Sequence, residues 1–188
     1  LQIPSGAAPS SQPSDGFMKM RPWQRRCFRQ LQDSHHWIIN APMAAGKSFQ
    51  ICAMAGHLLR SQPNLRVIIA VPQTIIAAGF KHNKIELDNG TSLDWRITPR
   101  HDLCAESNRS STAHLLHFLR TPAISQRPTE RTILCTHATL VRAFTRQCSA
   151  FTDVLIVIDE AHHIKHGPVE GVTEELENQM GALVRYAL

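Results

Sequence analysis

The sequence predicts an α/β domain in which a mostly parallel central sheet lies between helices on both faces. Three observations support this prediction. Short apolar runs alternate with helical patterns along the chain, as successive strand–helix–strand units require. A small-residue loop joins an apolar run at residues 37–39 to a helical pattern at residues 49–59. A further apolar run at residues 154–158 is followed directly by Asp159 and Glu160, at the strand end where open α/β sheets bind ligands.

The first stretch is WIINAPMAAGKSFQ at residues 37–50. Its order of strand, small-residue loop, Gly-Lys-Ser and helix is the arrangement that cradles phosphates. A helix N-terminus offers unpaired N–H groups and a partial positive charge to an anion. Gly46 lets the backbone approach the phosphates, Lys47 would reach the β and γ oxygens, and Ser48 would give its hydroxyl to Mg²⁺. The predicted phosphate-binding residues are Ala41, Pro42, Met43, Ala44, Ala45, Gly46, Lys47 and Ser48.

The strict form of this loop opens with glycine, and Ala41 stands in that place. A small-residue turn between a core strand and a core helix is therefore the alternative. The second stretch, DVLIVIDEAH at residues 153–162, favours the phosphate site. Its apolar run predicts a parallel strand buried on both faces. In a nucleotide site, Asp159 would hold Mg²⁺ and Glu160 would orient and deprotonate the attacking water.

Together, APMAAGKS and DEAH resemble the first and second motifs of the superfamily 2 helicases and translocases. The resemblance implies a three-layer, RecA-like P-loop domain that uses ATP and Mg²⁺. It implies that Lys47, Asp159 and Glu160 are catalytic, and that Ser48 and Asp159 hold Mg²⁺ through ATP. His162, in its place in DEAH, would belong to the nucleotide site and couple it to the nucleic-acid side.

Three histidines near the DEAH stretch raise zinc binding as an alternative. His162 and His166 are four residues apart, with His163 between them. No cysteine lies nearby, and no glutamate follows the first histidine as a zincin requires. We therefore prefer the helicase role for His162.

Upstream of the phosphate loop, residues 19–32 predict a short helix entered at Pro22. Trp23, Cys27 and Leu31 have the spacing of one buried face. Within the resemblance, RPWQ is similar to the segment that contacts adenine, so Gln24 would make paired hydrogen bonds to the adenine edge. An amphipathic helix with a solvated arginine face is the alternative.

Two strand-to-helix turns resemble motifs that contact the nucleic-acid backbone in this family. The first follows a buried strand predicted at residues 65–71 and leads into a helix from Thr74. The second follows a strand at residues 131–135 and begins the helical pattern at residues 136–144. An ordinary turn or a plain threonine N-cap would give the same patterns. The candidate nucleic-acid contacts are Pro72, Gln73, Thr74, Thr136, His137 and Thr139.

The segment between these turns carries no chemical motif. Residues 93–97 alternate and predict a short strand near a sheet edge, and residues 114–119 predict a helix. An amphipathic helix is predicted at residues 173–188. Residues 1–16, rich in Pro, Ser, Gly and Ala, predict a flexible arm or linker.

Composition gives broad limits on the class of protein. The 188 residues suffice for one domain with a full core. A net charge of +5 favours a polyanionic partner. Five scattered cysteines without a C-x-x-C pair indicate reduced thiols, and no apolar run is long enough to cross a bilayer. We expect a cytoplasmic or nucleoid-associated protein without a membrane partner.

The predicted domains are the arm at residues 1–16 and a helicase N-terminal RecA-like domain at residues 17–188. In the family, a second RecA-like domain supplies arginines to the γ-phosphate, and the chain has no room for it. Alone, this domain should bind nucleotide and Mg²⁺ loosely and hydrolyse ATP very slowly. The RPWQ and THATL forms resemble the restriction and repair translocases, so DNA is the expected partner rather than RNA. The alternatives are a non-hydrolysing nucleic-acid or nucleotide-binding module, and another P-loop NTPase or kinase.

Overall fold

A computed structural model describes residues 16–31, 36–104, 110–123 and 127–161 of the chain. Its strands are β1 (Met18–Lys19), β2 (Arg66–Val71), β3 (His82–Glu86), β4 (Ser92–Arg96), β5 (Thr132–Thr136) and β6 (Val154–Ile158). Its α-helices are α1 (Pro22–Leu31), α2 (Lys47–Ser61), α3 (Ala78–Lys81), α4 (Ser111–Arg120) and α5 (His137–Arg146). Short 3₁₀ helices lie at Thr74–Ala77, Pro99–His101, Pro128–Glu130 and Cys148–Ala150.

The central sheet is parallel and has the strand order β5-β2-β6. Val71 pairs with Thr136 of β5, and Ala70 pairs with Ile158 of β6. The three strands therefore end at the same edge. Their aliphatic and β-branched side chains suit a strand with neighbours on both sides, and β2 is buried from Val67 to its end.

Helices cover both faces of this sheet. On one face, α1 and α2 contribute to a core with Val67, Ile69 and Val71. On the other face, α4 and α5 pack against Ile68 and Ala70. This arrangement confirms the predicted α/β class with a parallel sheet and helices on both sides.

A second, smaller sheet has the order β1-β3-β4, with β3 antiparallel to β4. Leu93 and Trp95 of β4 are buried in the core that contains α2. The indole N–H of Trp95 donates to the carbonyl of Phe80 at 2.6 Å. Gly56 lets α2 lie close to β4, because a Cβ at that position would collide with the side chain of Leu93. The predicted edge strand at residues 93–97 is confirmed, whereas β1 and β3 had no clear sequence signal.

Arg131 anchors the C-terminal end of α2. Its Nη1 donates to the carbonyls of Gln62, Pro63 and Leu65 at 2.7, 3.0 and 3.0 Å, and its Nη2 donates to that of Leu59. A guanidinium satisfies carbonyls that a helix end leaves unpaired. The phosphate-loop helix is thereby tied to the start of β5.

Three sequence predictions are wrong in detail: the strand at residues 37–39, the full burial of β6, and the buried face of α1. No strand is present at residues 36–42, and the Ile38 side chain is 96% exposed. A strand needs a neighbour to satisfy its backbone groups, and in the described ranges the central sheet ends at β6 on one side and β5 on the other. Along β6, only Val157 is buried and the other four residues are half-buried. The helix α5 lies against β2 and β5 instead.

The buried face of α1 also differs from the prediction. Gln24 and Phe28 are buried, whereas Trp23, Cys27 and Leu31 are half-buried. The amide of Gln24 turns inward because it bonds to the loop before α2, as described below. The predicted arm at residues 1–16, apart from Gly16, lies outside the described residues, as do His162 to His166 and the helix predicted at residues 173–188.

Candidate functional site

The start of α2 is built to receive an anion. Gly46 is its N-cap residue and has a left-handed backbone with φ 93°. Ala44, two residues earlier, also has a positive φ of 58°. Alternating left-handed positions turn successive N–H groups toward one side of a loop. No side chain caps this helix start, so its N–H groups keep their hydrogen-bonding capacity for a ligand.

Lys47 contacts both the phosphate loop and the Asp159-Glu160 pair. Its Nζ lies 3.5 Å from Oε1 of Glu160 and donates to the carbonyl of Ala41 at 3.3 Å. Both charged side chains are about one quarter exposed, at 23% and 25%. Glu160 has a left-handed backbone with φ 52° just after β6, a conformation that costs a non-glycine residue free energy. The phosphate loop and the Asp-Glu pair thus lie against each other.

Asp159 is held at the end of β6 by its backbone. Its N–H donates to the carbonyl of Ala70 in β2 at 2.9 Å. Its own carbonyl lies 3.0 Å from Nε2 of His137, and that nitrogen must carry the proton because a carbonyl can only accept. Asp159 is 6% exposed and His137 is 8% exposed. The predicted nucleotide and nucleic-acid positions are therefore linked by a buried hydrogen bond.

Ser48 is half-buried one residue into α2. A Cβ added to Gly79 would lie 3.2 Å from the Ser48 hydroxyl, so this hydroxyl faces the segment that follows β2. Glycine at position 79 keeps that space open. The contact brings the phosphate loop to the predicted nucleic-acid turn after β2.

Gln24 connects α1 to the phosphate loop. Its Nε2 donates to the carbonyl of Gly46 at 3.0 Å, and its Oε1 accepts from the N–H of Arg21 at 2.7 Å. The Arg21 guanidinium donates to the carbonyl of Ala45 at 3.1 Å. Gln24 is 2% exposed, and both polar atoms of its amide are engaged within the protein; adenine contact by this residue stays a prediction. Arg21 is not among the predicted site residues, and its only signal in the sequence is its place before Pro22.

The predicted nucleic-acid contacts lie at the same edge of the sheet. Gln73 and Thr74 are exposed after β2, and Pro72 beside them is half-buried. Thr136 is the N-cap of α5, and its Oγ1 accepts from the N–H of Thr139 at 3.2 Å. The pairing of Val71 with Thr136 brings these two turns side by side. His137 and Thr139 are buried, so Thr136, which is half-buried, is the most accessible of the three predicted contacts in this motif.

A parallel sheet with an uncapped helix start, a lysine and an acidic pair at one edge is the arrangement of a helicase-like P-loop domain. The chain belongs to the family described as "Type III restriction enzyme, res subunit", which matches residues 17–181. This membership confirms the predicted superfamily 2 helicase type of N-terminal domain.

A curated relative extends the comparison. The protein named "Putative ATP-dependent helicase YeeB" from Bacillus subtilis (strain 168) is 29% identical over 167 residues. The match covers 88% of this chain and 25% of that protein, so the chain spans about a quarter of the relative's length. No solved structure gives a significant match. In the described ranges, no helix is both long and apolar enough to cross a membrane.

Proposed function

We propose that this chain is the ATP-binding part of a motor that hydrolyses ATP to move on or unwind nucleic acid, DNA rather than RNA. The contact between Lys47 and Glu160, at 3.5 Å beside the uncapped start of α2, is the observation that carries this proposal. It brings a phosphate-binding cation and an acid suited to activating water to one point.

The side chains at this edge fit ATP with Mg²⁺. The hydroxyl of Ser48 and the buried carboxyl group of Asp159 are hard oxygen ligands of the kind Mg²⁺ takes. Within the described residues, no cluster of three or more His, Cys, Asp or Glu could hold a metal ion. A Mg²⁺ site formed by Ser48 and Asp159 would depend on phosphate oxygens to complete the coordination. When bound, Mg²⁺ neutralises charge that develops on the phosphate oxygens.

The chain's own groups divide the remaining work. Backbone N–H groups at the start of α2 would hold the phosphates, and Lys47 would contact the terminal ones. A phosphate beside Lys47 competes with Glu160 for the ammonium group. The Glu160 carboxylate is then available to orient the attacking water and accept its proton.

Pro72, Gln73, Thr74 and Thr136 would form the nucleic-acid edge of this segment, with the buried His137 behind it. A second RecA-like domain from outside the segment would supply arginines to the γ-phosphate. The relative's name as an ATP-dependent helicase supports this view. If the motor moves on DNA, we expect it to be cytoplasmic or associated with the nucleoid.

Turnover and binding together test this function. We expect the 188-residue chain to bind a fluorescent ATP analogue in the presence of Mg²⁺ and to turn ATP over very slowly. Lys47→Ala should abolish binding, because the loop loses its only side-chain cation for the phosphates. Lys19→Ala, at an exposed position paired with Glu86, is the control and should bind as the wild type does.

Turnover that is stimulated by single-stranded or double-stranded DNA or RNA would identify the nucleic acid on which the motor moves. Glu160→Gln should abolish that turnover. Nucleotide binding without turnover, even when a second domain is added, would favour a non-hydrolysing module. An unchanged nucleotide affinity in Lys47→Ala would contradict the nucleotide assignment itself.

A further inference from the structure

The exposed side of α4 and α5 carries a positive charge with little to balance it. Neither helix contains an aspartate or glutamate. His117, Arg120, Arg142 and Arg146 are all exposed. We call these four residues the α4–α5 basic face. Between residues 111 and 152 the only acidic residue is Glu130.

These residues share one side of the molecule. Both helices pack on the same face of the central sheet, so their exposed sides point away from it together. Arg142 and Arg146 are one helical turn apart, about 6 Å between Cβ atoms. The guanidinium of Arg120 donates to Gln147, which follows Arg146 directly. The C-terminal ends of the two helices therefore lie close together, and Arg120 is near the end of the helix that carries Arg142 and Arg146.

The one acidic residue between positions 111 and 152 is already engaged. Glu130 accepts from Arg100 at 3.1 Å. Arginines near a helix C-terminus also interact favourably with the helix dipole, which accounts for Arg120 and Arg146. It does not account for Arg142, which lies inside α5 with its side chain exposed.

The helix α5 begins at the predicted nucleic-acid edge and carries part of the basic face in its second half. Thr136 caps the start of α5 at that edge, and the helix extends about 15 Å from there. Arg142 and Arg146 occupy its second half. A strand that contacts Thr136 can thus reach these guanidinium groups by following one helix.

We propose that the α4–α5 basic face binds the phosphate backbone of duplex nucleic acid as a second contact surface, behind the motor edge. Arginine suits this role, because its planar guanidinium pairs with phosphate oxygens through two parallel hydrogen bonds. Such contacts are independent of sequence and add affinity through counterion release. This inference extends the nucleic-acid contact of the proposed function to a surface outside its motifs.

The test compares two double variants with the same loss of charge. Arg142→Gln with Arg146→Gln alters the basic face and keeps good helix formers. Arg26→Gln with Arg60→Gln removes two exposed arginines from α1 and α2, on the opposite face of the sheet. Binding of a 30-base-pair DNA duplex is measured over a series of salt concentrations, and binding of the fluorescent ATP analogue is measured beside it.

We expect the basic-face variant to lose roughly tenfold or more in duplex affinity. Its plot of log affinity against log salt should flatten by about 1.8, which corresponds to two lost phosphate contacts. The control should keep nearly the wild-type slope. An unchanged slope in the basic-face variant, or an equal change in the control, would overturn the inference.

The two proposals fail in different ways. If the basic-face variant binds DNA like the wild type while ATP binding persists, only the second surface is wrong. If the wild type binds neither ATP nor DNA, the proposed motor function itself is wrong. Docking of an acidic protein instead of DNA would leave the duplex affinity unchanged, and it counts against the proposal.

Discussion

Single residues at the edge of the sheet have tightly constrained environments. Gly46 has a left-handed backbone, and a Cβ there would lie 2.9 Å from Nε2 of Gln24. Both facts exclude a larger residue without strain. His137 donates to the backbone carbonyl of Asp159. This hydrogen bond fixes the turn that presents Glu160. The geometry of the site thus depends on residues that do not contact the reacting groups.

Away from this site, His101 should make the protein sensitive to acid. It is 7% exposed and packs edge-on against Phe118, with ring centroids 5.1 Å apart. Burial, with Arg100 and His114 close by, lowers the pKa of His101 to about 4 from an ordinary value of 6.5. The unfolded chain therefore takes up this proton between pH 6.5 and pH 4, while the folded protein does not. Stability is lost as the pH falls through that range.

At pH 5 the expected contribution is about 2 kcal/mol of lost stability relative to pH 7. Urea unfolding of His101→Phe at both pH values should show a loss smaller by about that amount. Phe118→Leu is the control, since it weakens the same packing without removing a titrating group, and it should lower stability similarly at both values. If His101→Phe loses as much stability on acidification as the wild type does, other groups are responsible for the pH dependence.

At the level of elements, α1 acts as a clamp on the loop that begins α2. Gln24 and Arg21 both bond to backbone carbonyls of that loop. The other end of α1 is tied to the turn after β3, where Arg29 pairs with Asp88 at 2.5 Å. The C-terminal end of α2 is held by Arg131. The phosphate loop is thus held by α1, and the helix that follows the loop is anchored at its far end by Arg131.

The clamp predicts an order of nucleotide affinities at position 24. Gln24→Leu loses both hydrogen bonds and should weaken ATP binding roughly tenfold, or about 1.4 kcal/mol. Gln24→Glu should weaken it further, because a carboxylate cannot donate to the Gly46 carbonyl and adds negative charge near the phosphates.

Arg26→Ala, an exposed position on the same helix, is the matched control for both variants. Titration with the fluorescent ATP analogue gives all four affinities. Wild-type affinity in Gln24→Glu would show that the amide donor is unimportant for the loop.

For the whole molecule, the carboxyl edge of the parallel sheet gathers the site. The turns after β2, β5 and β6 end at one level through backbone pairing. The phosphate loop meets them through Lys47 and Ser48.

Extending the chain by a second RecA-like domain should raise turnover. Arginines supplied to the γ-phosphate are worth about 10³ to 10⁵ in rate. Steady-state ATP hydrolysis by the longer protein with duplex DNA should exceed that of this segment by a factor in that range. The longer protein with Lys47→Ala is the control and should be inactive. Equal turnover by both lengths would mean that this domain is catalytically complete.

The sequence by itself determined the fold class, most of the strands and helices, and the residues that meet at the sheet edge. It could do so because buried strands, helix starts and the Gly-Lys-Ser loop have local patterns. Only the tertiary structure decided that α1 buries Gln24, that residues 37–39 form no strand, and that arginines of α4 and α5 share one surface. These features depend on which distant groups need a partner or lie side by side, and such contacts leave no periodic signal in the chain.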